Sequence, residues 1–184
     1  MNKMLPVWTG VVLLLTSTCP NAQTPSQMTA TYGDWMVLCS RKNSNTGGTC
    51  ALGQSETIQG RPNPVSQIGI ARLVDGKTIR ITFYIPVNLW FESGVTLLSD
   101  TSERLLAAPF RWCIPTKCAA DIELTTADIE KLRSQTRPGQ LIYKNAVRAD
   151  VAIPVSFVGF GDALNSSGLL TPAKRTDFPC REGC

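Results

Sequence analysis

The chain has 184 residues, with 43% hydrophobic, 17% charged and a formal net charge of +4 from 18 basic and 14 acidic residues. That length suits one domain, and the apolar share suits a packed core rather than a disordered chain. The basic residues are scattered, with no run longer than Arg41-Lys42 or Lys174-Arg175, which argues against a nucleic-acid surface. There is no histidine. Histidine-based acid–base work, Ser-His and Cys-His nucleophile pairs and histidine metal ligands are therefore excluded.

The first segment reads as an address. Lys3 precedes an apolar run from Leu5 to Leu15, followed by small and polar residues ending in Asn21-Ala22-Gln23. This layout predicts a secretory signal peptide over 1–22, too short for a membrane span. Cys19 raises two alternatives, cleavage nearby or lipidation, but Thr16-Ser17-Thr18 before it match a lipoprotein site poorly. Beyond the signal six cysteines remain: Cys39, Cys50, Cys113, Cys118, Cys180 and Cys184. An even count in an exported chain predicts disulfides, and their spacing suggests three near-neighbour pairs.

Residues 23–31 are polar and are expected to be flexible. From residue 32, YGDWMVLCS alternates as a strand, with Trp35, Val37 and Cys39 on one face. RKNSNTGGT is a loop, and TCALGQSETI resumes as a strand, so that a Cys39–Cys50 bond would close the loop. QIGIARL and TIRITFYIP are strands around the Asp75-Gly76 turn signal; Ile79, Ile81, Phe83 and Ile85 lie on one face. A further strand begins at Val95. PFRWCI and KCAADIEL flank Pro115-Thr116, which places Cys113 and Cys118 on either side of a tight turn. LTTADIEKLRSQ is the one helix, capped by Thr125 with Asp128 three positions on. QLIYKNAVR and DVAIPVSFVGF form a last strand pair, where Pro154 points to an edge or a bulge. FGDALNSS suits a short helical turn, and 167–184 reads as a tail closed by its own cysteine pair, Cys180 and Cys184. About nine short strands and one small helix predict an all-β sandwich or barrel.

These motifs, taken in order, resemble the invasion-associated locus B (IalB) family of exported bacterial proteins. The resemblance runs over roughly residues 31–166, through GDWMVLC, TCALGQ, ITFYIPVNLWFESGVTLLSD, PFRWCIPTKCAADIEL and IPVSFVGFGDAL. Lys117 departs from the family's usual Gly, and FPCREGC lies outside the shared pattern. The resemblance implies an immunoglobulin-like β-sandwich over 32–166, exported to the periplasm or outer envelope, with host-cell entry behind the family's name. It implies no catalytic residues.

The remaining chemistry points the same way. Cys113 and Cys118 have the wrong spacing for a thioredoxin-like pair. A four-cysteine zinc site with Cys39 and Cys50 stands as the metal alternative to disulfides. Asp121, Glu123, Asp128 and Glu130 cluster near a helix start, where the dipole alone favours acids. No nucleophile elbow, S-x-x-K or phosphate loop is present. Trp90 and Phe91, adjacent in PVNLWFESG, are the candidate partner-binding residues. On a strand they would face opposite ways; the alternative buries both under a loop. An edge near Pro154 is a second candidate surface. The expectation is a binding module without catalytic residues, cofactor or metal, held by disulfides, with a protein partner in the envelope or on a host surface. Rival readings are an accessory subunit of an envelope or secretion assembly, and a periplasmic enzyme.

Overall fold

The computed structural model describes residues 27–40, 48–57 and 64–170. The expected signal peptide, Cys19, and the Cys180–Cys184 pair lie outside the described residues. Eleven strands fall into two sheets among the described residues. In chain order they are β1 (Gln27–Tyr32), β2 (Trp35–Ser40), β3 (Thr49–Glu56), β4 (Ser66–Arg72), β5 (Ile79–Pro86), β6 (Val95–Leu98), β7 (Arg104–Ala108), β8 (Phe110–Ile114), β9 (Lys117–Leu124), β10 (Gly139–Lys144) and β11 (Asp150–Val155). The large sheet runs β1-β2-β3-β4-β5-β9-β8 and the small one β11-β10-β6-β7, all antiparallel. Their inner faces share one core, which makes the fold sandwich-like.

Alternation dictates which residues enter that core. Trp35, Val37, Leu52, Ile68, Ile70, Ile81, Phe83 and Ile85 are buried on the large sheet; Val95, Leu97, Leu141, Ile153 and Val155 are buried on the small one. A strand presents every second side chain to one face, so the period of two in ITFYI becomes a buried stripe. Pro154 occupies the exposed face of β11, an edge strand, as its missing N–H requires.

Three elements differ from the sequence expectation. Residues 27–31, expected to be part of a flexible lead-in, form most of β1, paired with β2 from Gln27↔Ser40 to Tyr32↔Trp35. Its first five residues are exposed, so no apolar face announces it; pairing across the Gly33-Asp34 turn, with Gly33 left-handed at φ 55°, makes the strand. β7 is a strand beyond those expected. Adjacent Leu105 and Leu106 are both buried, and a register shift at Leu97/Leu98 breaks the period there. FGDALNSS is a full helix, α2 (Phe160–Ser167), beside the expected α1 (Thr126–Arg133). At α1 the capping box is complete: the Asp128 amide donates to Thr125 Oγ1 at 3.1 Å and the Thr125 amide to Asp128 Oδ2 at 2.9 Å.

α2 closes a seam between the two ends of the fold. It packs on the first three strands, with Phe160 edge-on to Trp35 at 4.9 Å. Trp35 Nε1 and Gln54 Nε2 both donate to the Ser156 carbonyl, at 3.0 and 2.9 Å, which satisfies the buried Gln54 amide nitrogen. The Asp34 amide donates to the Val158 carbonyl at 3.1 Å. The backbones approach so closely that a Cβ on Gly159 (φ 81°) would lie 2.0 Å from the Tyr32 carbonyl oxygen.

Candidate functional site at the Trp90–Phe91 loop

Trp90 and Phe91 lie on a loop, not on a strand. β5 ends at Pro86, Asn88 turns the chain with a left-handed φ of 76°, and Phe91–Ser93 form one 3-10 turn before Gly94 leads into β6. The β10–β11 turn packs alongside. Leu89 bridges Asn145, the Trp90 amide donates to the Lys144 carbonyl at 2.8 Å, and the Ala146 amide donates to the Asn88 carbonyl at 3.1 Å. Ser93 Oγ donates to the Trp90 carbonyl at 2.8 Å. Asn145 Oδ1 accepts from the Val147 and Ala149 amides at 3.1 and 3.0 Å, fixing the second loop. Two loops are thus zipped into one tip.

The tip exposes apolar and aromatic surface. Phe91 is 45% exposed and leans on Phe110 with ring centroids 5.7 Å apart. Trp90 is half-buried, and the Arg148 guanidinium carbon stands 3.8 Å from its ring centroid. Val87 and Val147 are exposed beside them in the chain. Lys144 is paired with Asp150 at 2.7 Å. Burial pushes the Tyr143 phenol upward. Neither expectation for the aromatic pair describes it fully: Phe91 is open, and Trp90 is covered by an arginine from another loop. Sequence reasoning missed Arg148, because nothing in KNAVRAD says that its turn meets residues 88–90.

Among the described residues, the cysteines and the clustered acids have structural partners. Cys39–Cys50 and Cys113–Cys118 are disulfides between directly opposed residues of β2–β3 and β8–β9. They consume the four thiols that the zinc alternative required. Asp121 lies 3.6 Å from Arg80 and 4.0 Å from Arg111, Glu123 lies 3.2 Å from Arg80, Glu130 lies 3.9 Å from Arg133, and Asp128 caps α1. Lys117, the departure from the family pattern, stands over the Tyr84 ring at 4.4 Å and donates to Gln67 Oε1 at 3.3 Å. Along the Pro154 edge, the exposed positions are Asp150, Ala152 and Pro154.

Comparison with known proteins agrees with this architecture. The family described as invasion associated locus B (IalB) protein matches residues 35–168. An invasion protein B homolog of Brucella abortus strain 2308 is 26% identical over 147 residues, covering 79% of this chain and 82% of its own. A homolog from Brucella abortus biovar 1 strain 9-941 matches to the same extent. The crystal structure of invasion associated protein b from Bartonella henselae superposes with a TM-score of 0.64 at 21% identity, over 76% of this chain and 93% of that one, and so shares the fold. Trp35, Gln54 and Ser156, from three of the motifs that carry the resemblance, meet at one carbonyl in the seam. On the match over residues 35–168, the chain belongs to the invasion associated locus B family.

Proposed function

We propose that the chain is an exported, non-enzymatic binding module of the cell envelope that engages a protein partner through the Trp90–Phe91 tip. The observation that carries this reading is the tip itself: two aromatics held by paired loops, with Phe91 45% exposed. Rigid aromatics and arginine are the residue types that dominate interface energies. Two disulfides suit an oxidising compartment. The names of the Brucella and Bartonella relatives support a partner on a host-cell surface.

The test is binding of the purified, oxidised protein to envelope fractions and to cultured host cells. Saturable binding is expected, weakened at least about tenfold in the Trp90→Ala/Phe91→Ala variant, a loss of about 1.4 kcal/mol. Far-ultraviolet circular dichroism of that variant, which reports the backbone rather than the removed rings, should match the parent. Undiminished binding by a folded variant would refute the assignment of this surface.

A further inference from the structure

Arg148 combines three features. Its guanidinium lies on Trp90 at 3.8 Å. Its backbone is left-handed at φ 63°, a conformation that glycine adopts freely and a long side chain does not. Among the described residues it has no carboxylate within ion-pair distance, which it shares with Arg104, whereas Arg80, Arg111, Arg133 and Arg137 are each paired.

We infer that the Arg148–Trp90 stack is the receptor for a carboxylate side chain of the protein partner, seated among apolar residues. The inference rests on the reading of the tip as a partner surface and names the chemistry recognised there. Stacking occupies the guanidinium face and leaves its N–H groups, which lie in the guanidinium plane, as donors in a fork that matches a carboxylate. Resting on an aromatic ring pre-organises that fork and lowers the side-chain entropy lost on binding. Val147 is 81% exposed next to Arg148, and Phe91 45% exposed next to Trp90. A carboxylate flanked by apolar residues complements this surface. A polyanion or an anionic membrane calls for clustered cations. Here Lys144 is bound to Asp150, and Glu92 adds a negative charge to the 3-10 turn.

The experiment is selection of a displayed random-peptide library on the oxidised full chain, followed by affinity measurement on selected peptides. Peptides sensitive to Trp90→Ala are expected to carry Asp or Glu beside apolar residues. Changing that acid to its amide should weaken binding at least about tenfold, and Arg148→Gln should abolish the difference between acid and amide. Arg148→Lys should restore only part of it. Peptides that depend on Trp90 yet bind Arg148→Gln unchanged would overturn the carboxylate receptor and leave the binding surface standing. If selected peptides ignore Trp90 and Phe91, both readings fall. Arg148-dependent binding to vesicles of phosphatidylcholine and phosphatidylglycerol, with no peptide selected, would overturn the assignment in favour of a membrane surface.

Discussion

The two disulfides should contribute unequally, and the inequality follows from loop length. Cys39 and Cys50 are 11 positions apart, Cys113 and Cys118 only 5. A cross-link stabilises by restricting the unfolded chain, more for a longer loop; the chain-entropy relation gives about 2.8 kcal/mol for the first bond and about 2.1 kcal/mol for the second at 25 °C. Truncating cysteines would blur this gap, because Cys118 is buried and its loss also costs packing. The cleaner comparison is oxidised against reduced protein in chains that keep one pair. Cys113→Ala/Cys118→Ala isolates the first bond, and Cys39→Ala/Cys50→Ala the second, with Cys19, Cys180 and Cys184 also changed to alanine. With a urea slope of about 2 kcal/mol/M, reduction should lower the midpoint by about 1.4 M and about 1 M respectively. Equal shifts, a larger shift for Cys113–Cys118, or a change under about 0.5 kcal/mol for either would refute the reasoning.

Gly159→Ala should cost about 3 kcal/mol or more, since it forces an L residue into a left-handed φ against the Tyr32 carbonyl. Gly69→Ala, with nothing within 4 Å of the new Cβ, should be neutral or stabilise by up to about 1 kcal/mol; thermal melts of both variants check the pair. Thr125→Ala should remove about 1 kcal/mol by breaking the capping box at α1, read from urea midpoints. Asp75 accepts from Thr78 Oγ1 and from the Lys77 and Thr78 amides, the Thr78 side chain foremost, which holds its pKa at about 2 against an ordinary 3.8. A carboxylate whose pKa is depressed by folding stabilises above its unfolded pKa, and the contribution fades as pH falls through the folded value. The melting-temperature advantage of the parent over Asp75→Asn should therefore be full at pH 6 and vanish as pH approaches 2; an advantage that grows on acidification would contradict the geometry.

Legibility in the sequence followed local chemistry. The stripe from Ile79 to Ile85, the Asp75-Gly76 turn, the Thr125 cap and the cysteine hairpins each depend on residues close in the chain, so spacing alone exposes them. β1 and β7 were hidden because pairing, not periodicity, makes them strands. Trp90 and Phe91 stood out by residue type, but their presentation depends on a turn more than 50 residues later, and no pattern near Arg148 announces the ring beneath it. Contacts of that range are set by the packing of the whole sandwich.

The seam also bears on when the domain can form. Its first strands take their aromatic neighbour, Phe160, and the acceptor for Trp35 and Gln54 from residues more than 100 positions downstream. Such long-range contacts must close a large loop before they return any stabilisation. A chain emerging from its N-terminus therefore cannot bury Trp35 until α2 has followed it. The hairpins can form early, but the sandwich locks last, when α2 docks on the first three strands.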